Sequence, residues 1–159
     1  MVAEPTLKTV TQVVASEEDM VGLGMQLGQH SGCVGTIFLQ GELGVGKTTF
    51  VRGLLQGKGY AGAVKSPTYS LILSYQLPAG VCYHLDLYRL STTDESEFPG
   101  LRDLLTEPAL ILIEWPERIS GGLFQPDVCV QMSYGMHKRE IVLQACTQIG
   151  NNFLFGLSV

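Results

Sequence analysis

Charge is scarce in this chain of 159 residues: Asp, Glu, Lys and Arg together make up 16% of it, against roughly one quarter in an ordinary soluble domain. Basic charge is scarcer still. Lys plus Arg number 10 against 15 Asp plus Glu, a formal net charge of -5, so no general attraction to a nucleic-acid backbone is expected and only a local basic patch would supply one. The apolar runs stop far short of the roughly 20 residues needed to cross a bilayer. The opening MVAEPTLKTV has no basic segment followed by an apolar one, so no signal peptide is expected. A soluble, cytoplasmic protein with no membrane contact follows as the expectation. Cys33, Cys82, Cys129 and Cys146 are far apart and form no CxxC or His-spaced pattern, which favours free thiols in a reducing compartment over a metal site. No internal repeat or low-complexity linker interrupts the chain.

What is present is a 45% hydrophobic composition, enough at this length to build a core without disulfide or metal staples. One domain covering residues 1–159 is expected. TLKTVTQVV suits an opening strand, and Ser16 stands where its side chain can cap a helix whose Met20, Leu23 or Gly24, and Leu27 recur at helical spacing. GTIFLQ reads as a buried strand. KTTFVRGLLQGKG resumes helical spacing, with Gly57 and Gly59 as its stop. YSLILSYQL and VCYHLDLYRL, separated by PAG, read as a hairpin. LRDLL offers a short helix, and ALILIEW reads as a central parallel strand ended near Pro116. PDVCVQMSYG and KREIVLQAC complete the sheet as an antiparallel pair. The stretch after Thr147 fits a covering strand, a short helix or a sticky tail.

The strand, glycine loop and helix come in the order that a phosphate loop requires. Gly41 to Thr48, GELGVGKT, matches GxxxxGKT throughout. Gly41, Gly44 and Gly46 let successive backbone N–H groups turn toward phosphate oxygens, and Glu42, Leu43, Val45 and Thr49 complete the loop that would hold the nucleotide. Lys47, expected on an exposed loop, reaches the β and γ phosphates, and the Thr48 hydroxyl can ligate magnesium. A second magnesium oxygen is needed, and Glu114, closing the apolar run ALILIE, is the candidate; an exposed carboxylate at a loop start is the other reading. Alternation along HLDLY puts His84, Asp86 and Tyr88 on one face and Leu85 and Leu87 on the other. Asp86 then lines a site, serves an internal ion pair or lies on an edge-strand surface. Ser66 and Thr68 of KSPTYS offer hydroxyls to a nucleotide-sensing loop or form an ordinary turn, and Trp115 and Tyr69 face the base or pack.

No Asn-Lys-x-Asp stretch for reading guanine is present, and the scattered arginines define no acceptor site. ATP hydrolysis leads, with a small-molecule kinase and an ATP-gated binding module as alternatives. The ordered set GELGVGKTTFVRGL, SPTYSLILSY, YHLDLYRL and LILIEWPERI resembles the bacterial tRNA threonylcarbamoyladenosine biosynthesis ATPase family, TsaE or YjeE, over most of the chain. The resemblance implies an α/β fold, a single P-loop NTPase domain with a mainly parallel central sheet, antiparallel additions and flanking helices. It implies an enzyme that hydrolyses ATP with Mg2+ beside the TsaD and TsaB proteins, which modify adenosine 37 of tRNAs reading ANN codons, tRNA being met through that complex. By motif, Lys47 would bind phosphates, Thr48 and Glu114 would hold magnesium, Asp86 would serve hydrolysis through magnesium or water, Thr68 would sit in the switch-like loop, and Trp115 would lie near the nucleotide or the adjoining loop.

Overall fold

The computed structural model describes residues 6–67, 71–90, 99–119 and 122–157. A single seven-stranded sheet organises them, in the order β1-β7-β6-β2-β5-β4-β3. Its strands are β1 (Thr9–Val14), β2 (Gly35–Gly41), β3 (Ile72–Leu77), β4 (Gly80–Asp86), β5 (Leu110–Glu114), β6 (Val128–Tyr134) and β7 (Arg139–Ala145). The inner pairings β6–β2, β2–β5 and β5–β4 are parallel. The outer pairings β1–β7, β6–β7 and β3–β4 are antiparallel. The parallel character is therefore confined to four inner strands; the β3–β4 hairpin, marked by PAG in the sequence, leaves β3 at one edge, and β1 pairs with β7 of the β6–β7 hairpin, marked by Gly135, to form the other. The helices are α1 (Glu17–His30), α2 (Lys47–Gly57), α3 (Pro99–Asp103) and α4 (Gln148–Leu154).

Strand alternation divides the core. Ile37, Leu39, Cys82, Leu110, Leu112, Val128, Val130, Ile141 and Leu143 join Met20, Leu27, Phe50, Leu54 and Phe153 of α1, α2 and α4 in one apolar cluster. Leu85, Leu87, Ile111 and Ile113 join Leu101 and Phe124 on the opposite face. β5 is buried at every position, as expected of a strand covered on both faces.

Ser16 caps α1 as its sequence position suggests, its hydroxyl accepting from the Asp19 N–H at 3.1 Å. α2 ends at Gly57, and Gly59, with φ 91°, takes the left-handed conformation just after it, so the helix stops at the two glycines as expected. Gly57 is small because a Cβ there would come within 2.3 Å of the Met25 carbonyl oxygen. Gly24, Gly28 and Gly53 meet the facing helix backbone in the same way. α1 and α2 are thus packed backbone to backbone. α3 begins at Pro99, slightly earlier than LRDLL implies.

The segment after Thr147 resolves into α4. Thr147 accepts from the Gly150 N–H at 3.1 Å and donates to Asp127 Oδ1 at 2.7 Å, while Asp127 Oδ2 accepts from the Thr36 N–H at 2.8 Å. One carboxylate therefore ties the start of α4 to β2. All four cysteines are free, and burial pushes the Cys82 thiol up to about 12. No helix among the described residues is long and apolar enough to cross a membrane.

Candidate functional site

The C-terminal ends of β2, β4 and β5 lie side by side, the place where open α/β sheets hold ligands. Register aligns Leu39 with Glu114 and Asp86 with Glu114. Glu114 shares parity with Leu110 and Leu112, and Asp86 with Cys82, so both carboxylates emerge on the face covered by α2. The loop leaving β2 turns into α2 on that same face.

Glycine is required along this loop. Gly44 has φ 79° and Gly46 φ 121°, and a Cβ on Gly41 would lie 2.6 Å from the Met132 carbonyl oxygen of β6. Glu42, Leu43 and Gly44 are exposed, whereas Val45 is buried and anchors the loop. α2 starts at Lys47 with no side-chain cap, so its first N–H groups are unclaimed by a capping side chain and its positive end faces the loop.

Lys47 is buried, not exposed as expected. Its Nζ donates to the carbonyl oxygens of Gly41 at 2.6 Å and Glu42 at 2.9 Å and lies 4.4 Å from the centroid of the Trp115 ring. The loop wraps around its own lysine, satisfying the amine with carbonyls and an aromatic face. Burial lowers the Lys47 amine from its ordinary value, against the opposing pull of Glu114, Asp86 and Glu117.

Thr48 Oγ1 donates to Glu114 Oε2 at 3.1 Å, with Oε1 at 3.4 Å. Glu114 is buried and Asp86 half-buried, which rejects the reading of Glu114 as an exposed loop carboxylate. Asp86 Oδ1 accepts from the Tyr88 N–H at 3.0 Å. Burial raises the Asp86 carboxyl above its ordinary value, reinforced by Glu114 and opposed by the Tyr88 N–H, His84 and Lys47. Trp115 adopts a left-handed backbone, φ 59°, at the strand end before the 3-10 turn Pro116–Arg118. Its ring packs against Tyr88 at 5.0 Å between centroids. Trp115 thus stands by Lys47, against the glycine loop. Thr68 and Tyr69 lie outside the described residues; Ser66 is exposed beside buried Pro67.

Sequence reasoning missed the other flank. A cleft of about 520 Å3 opens beside Thr49, walled by Ser16 and Glu17 at the start of α1 and by Tyr134, Lys138 and Arg139 of the β6–β7 hairpin. Tyr134 Oη donates to the Leu43 carbonyl at 3.2 Å, and the Arg139 guanidinium lies 5.4 Å from the Tyr134 ring. These partners are 91 residues apart in the chain, and only the KR of the hairpin turn hinted at a cationic wall.

The family described as "Threonylcarbamoyl adenosine biosynthesis protein TsaE" matches residues 14–141. The chain belongs to the TsaE family. It is 38% identical over 157 residues to the tRNA threonylcarbamoyladenosine biosynthesis protein TsaE of Haemophilus influenzae, covering 96% of this chain and 99% of that protein. Its identity to the protein of the same name from Bacillus subtilis is 36% over 116 residues, 72% of this chain and 70% of that one. The crystal structure of Bacillus subtilis YdiB superposes with a TM-score of 0.70 at 22% identity, over 96% of this chain and 95% of the other, a likeness of fold. The matched span of the TsaE family contains the glycine loop, Asp86, Glu114 and Trp115, and ends in β7 just beyond Arg139.

Proposed function

We propose that the chain is a magnesium-dependent cytoplasmic ATPase that acts with the TsaD and TsaB proteins to support repeated threonylcarbamoylation of adenosine 37 in tRNAs reading ANN codons. The observation that carries this reading is the meeting of Thr48 and Glu114, 66 residues apart in sequence and 3.1 Å apart in space, at the foot of a glycine loop that encloses Lys47. Family membership places the chain in tRNA threonylcarbamoyladenosine biosynthesis; the chemistry is read from the site.

The loop N–H groups and the start of α2 form a concavity suited to an anion. Lys47 exchanges its contacts with the Gly41 and Glu42 carbonyls for phosphate oxygens. Thr48 and Glu114 are hard oxygen donors of the kind magnesium takes, and magnesium sites commonly use one or two carboxylates completed by phosphate and water. No cluster of three or more His, Cys, Asp or Glu side chains among the described residues could hold a metal, so the site fits a nucleotide-borne magnesium better than a protein-only cage. When bound, magnesium supplies charge neutralisation at the β and γ phosphates. Asp86, beside Glu114 in register, orients the attacking water. The cleft beside Thr49 receives the base and sugar, Trp115 covers the phosphate end, and Ser66 and Thr68 belong to a loop that senses the γ phosphate.

The net charge of -5 favours tRNA contact through the partners. A partner that improves alignment of water and metal needs to supply only about 1.4 kcal/mol for a tenfold rate gain. Steady-state phosphate release during magnesium titration tests the site. Asp86→Asn and Glu114→Gln should lower hydrolysis more than nucleotide binding, because the loop supplies most binding contacts. Unchanged turnover in both variants at limiting magnesium would remove the assignment.

A further inference from the structure

His84 is fully buried, and its Nε2 lies 2.5 Å from Glu114 Oε2. Its Nδ1 has no hydrogen-bond partner among the described residues. Burying a ring nitrogen without a partner is costly, and an apolar side chain would fill the same place without that cost. What the other nitrogen does is therefore the reason for an imidazole here. The tautomer carrying hydrogen on Nε2 donates to Glu114 and leaves only an acceptor unpartnered.

The Glu114 carboxylate is thereby held on one side. Oε2 receives both His84 Nε2–H and Thr48 Oγ1–H, whereas Oε1 has the longer Thr48 contact of 3.4 Å. His84 sits opposite Leu112 and Asp86 opposite Glu114 in the β4–β5 register, so the imidazole lies one pleat below the two carboxylates on the α2 face. A carboxylate's terminal torsion is broad and roughly two-fold; a buried donor on one oxygen selects the orientation that presents the other.

We propose that His84 is a positioning residue that pins Glu114 Oε2 and presents Oε1 to magnesium, so that metal and nucleotide binding are coupled through it. The inference rests on the reading of Glu114 as a magnesium ligand. Groups that orient a metal ligand in this manner cost about tenfold to a hundredfold in metal affinity when removed.

The test measures affinity for a nonhydrolysable ATP analogue with magnesium and with EDTA in the wild type, His84→Gln, His84→Asn and His84→Leu. A Gln amide nitrogen reaches about where Nε2 stands, whereas an Asn amide stops near Nδ1. Wild type and His84→Gln should keep the magnesium enhancement. His84→Leu and His84→Asn should lose at least about tenfold of it, with metal-free affinity unchanged, an effect that a merely space-filling role would not produce. If His84→Leu fails to fold by circular dichroism, the Gln and Asn pair decides. Full enhancement in His84→Asn, or equal loss in Gln and Asn, overturns the role of His84. Absence of enhancement in the wild type overturns the magnesium reading of the site and this inference with it.

Discussion

Replacing Gly53 by alanine probes how α2, which opens at Lys47 and Thr48, is seated against α1. A Cβ at Gly53 would stand 2.2 Å from the Val21 carbonyl oxygen and 2.9 Å from both the Val21 carbonyl carbon and Cα, all backbone atoms of α1. Ordinary contact begins near 3.4 Å, so the helices must separate by about 1.2 Å, the difference between the two distances, and no rotamer change can relieve a clash with backbone. Overpacking of this kind costs up to about 3 kcal/mol, and the gain from alanine's helix propensity returns about 1 kcal/mol. The net expectation is a loss of about 2 kcal/mol, or roughly 4–8 °C in melting temperature for a chain of this size. Gly22→Ala is the internal control: its Cβ meets nothing within 4 Å, so only the propensity gain of about 1 kcal/mol remains. Thermal and urea unfolding of both variants should move in opposite directions. Equal stabilisation by the two substitutions would refute the close packing of α1 on α2. Because Lys47 and Thr48 open α2, Gly53→Ala should also weaken magnesium-nucleotide binding.

Lys47→Ala should lower ATP affinity by about a hundredfold, the equivalent of roughly 3 kcal/mol for a charge-assisted contact, with the circular dichroism spectrum retained; calorimetric titration checks it. Asp127→Ala should cost about 3 kcal/mol by urea unfolding, since it strands the Thr36 N–H and the Thr147 cap. Asp86 has its folded value raised, so its stability contribution is full below the ordinary carboxylate value and is lost as pH rises through the raised one. In EDTA at pH 7, Asp86→Asn should therefore have the higher urea midpoint, the difference shrinking as pH falls toward the ordinary carboxylate value.

The glycine loop and the meeting of Thr48 with Glu114 were legible in the sequence because the loop's backbone angles demand glycine and the apolar run ALILIE ends at one acid. Alternation along HLDLY likewise foretold that His84 and Asp86 share the site face. The burial of Lys47 was not legible, since it depends on carbonyls of its own loop and on Trp115, whose ring reaches it from another strand. The packing role of Gly57 beyond ending α2 was not legible, because a single helix offers no sign of its neighbour; the spacing of Gly24 and Gly28 against Gly53 and Gly57 acquires meaning only when α1 and α2 face each other. QIGNNFL is too short for its apolar spacing to single out a helix; α4 is held by the burial of Phe153 and Leu154 together with the cap at Thr147 and its Asp127 partner, contacts that no local pattern shows. The cleft beside Thr49 joins α1 to a hairpin near the other end of the chain, a proximity that depends on sheet order and has no local signal.

The most direct test of the proposed function is reconstitution with the cognate TsaD and TsaB proteins, unmodified tRNA and preformed threonylcarbamoyl-AMP, following phosphate release and modified adenosine together. The wild-type chain should sustain multiple turnovers of modification with accelerated ATP hydrolysis, and Lys47→Ala should not. Equal multi-turnover modification by both, with ATPase activity indifferent to the partners, would contradict the account.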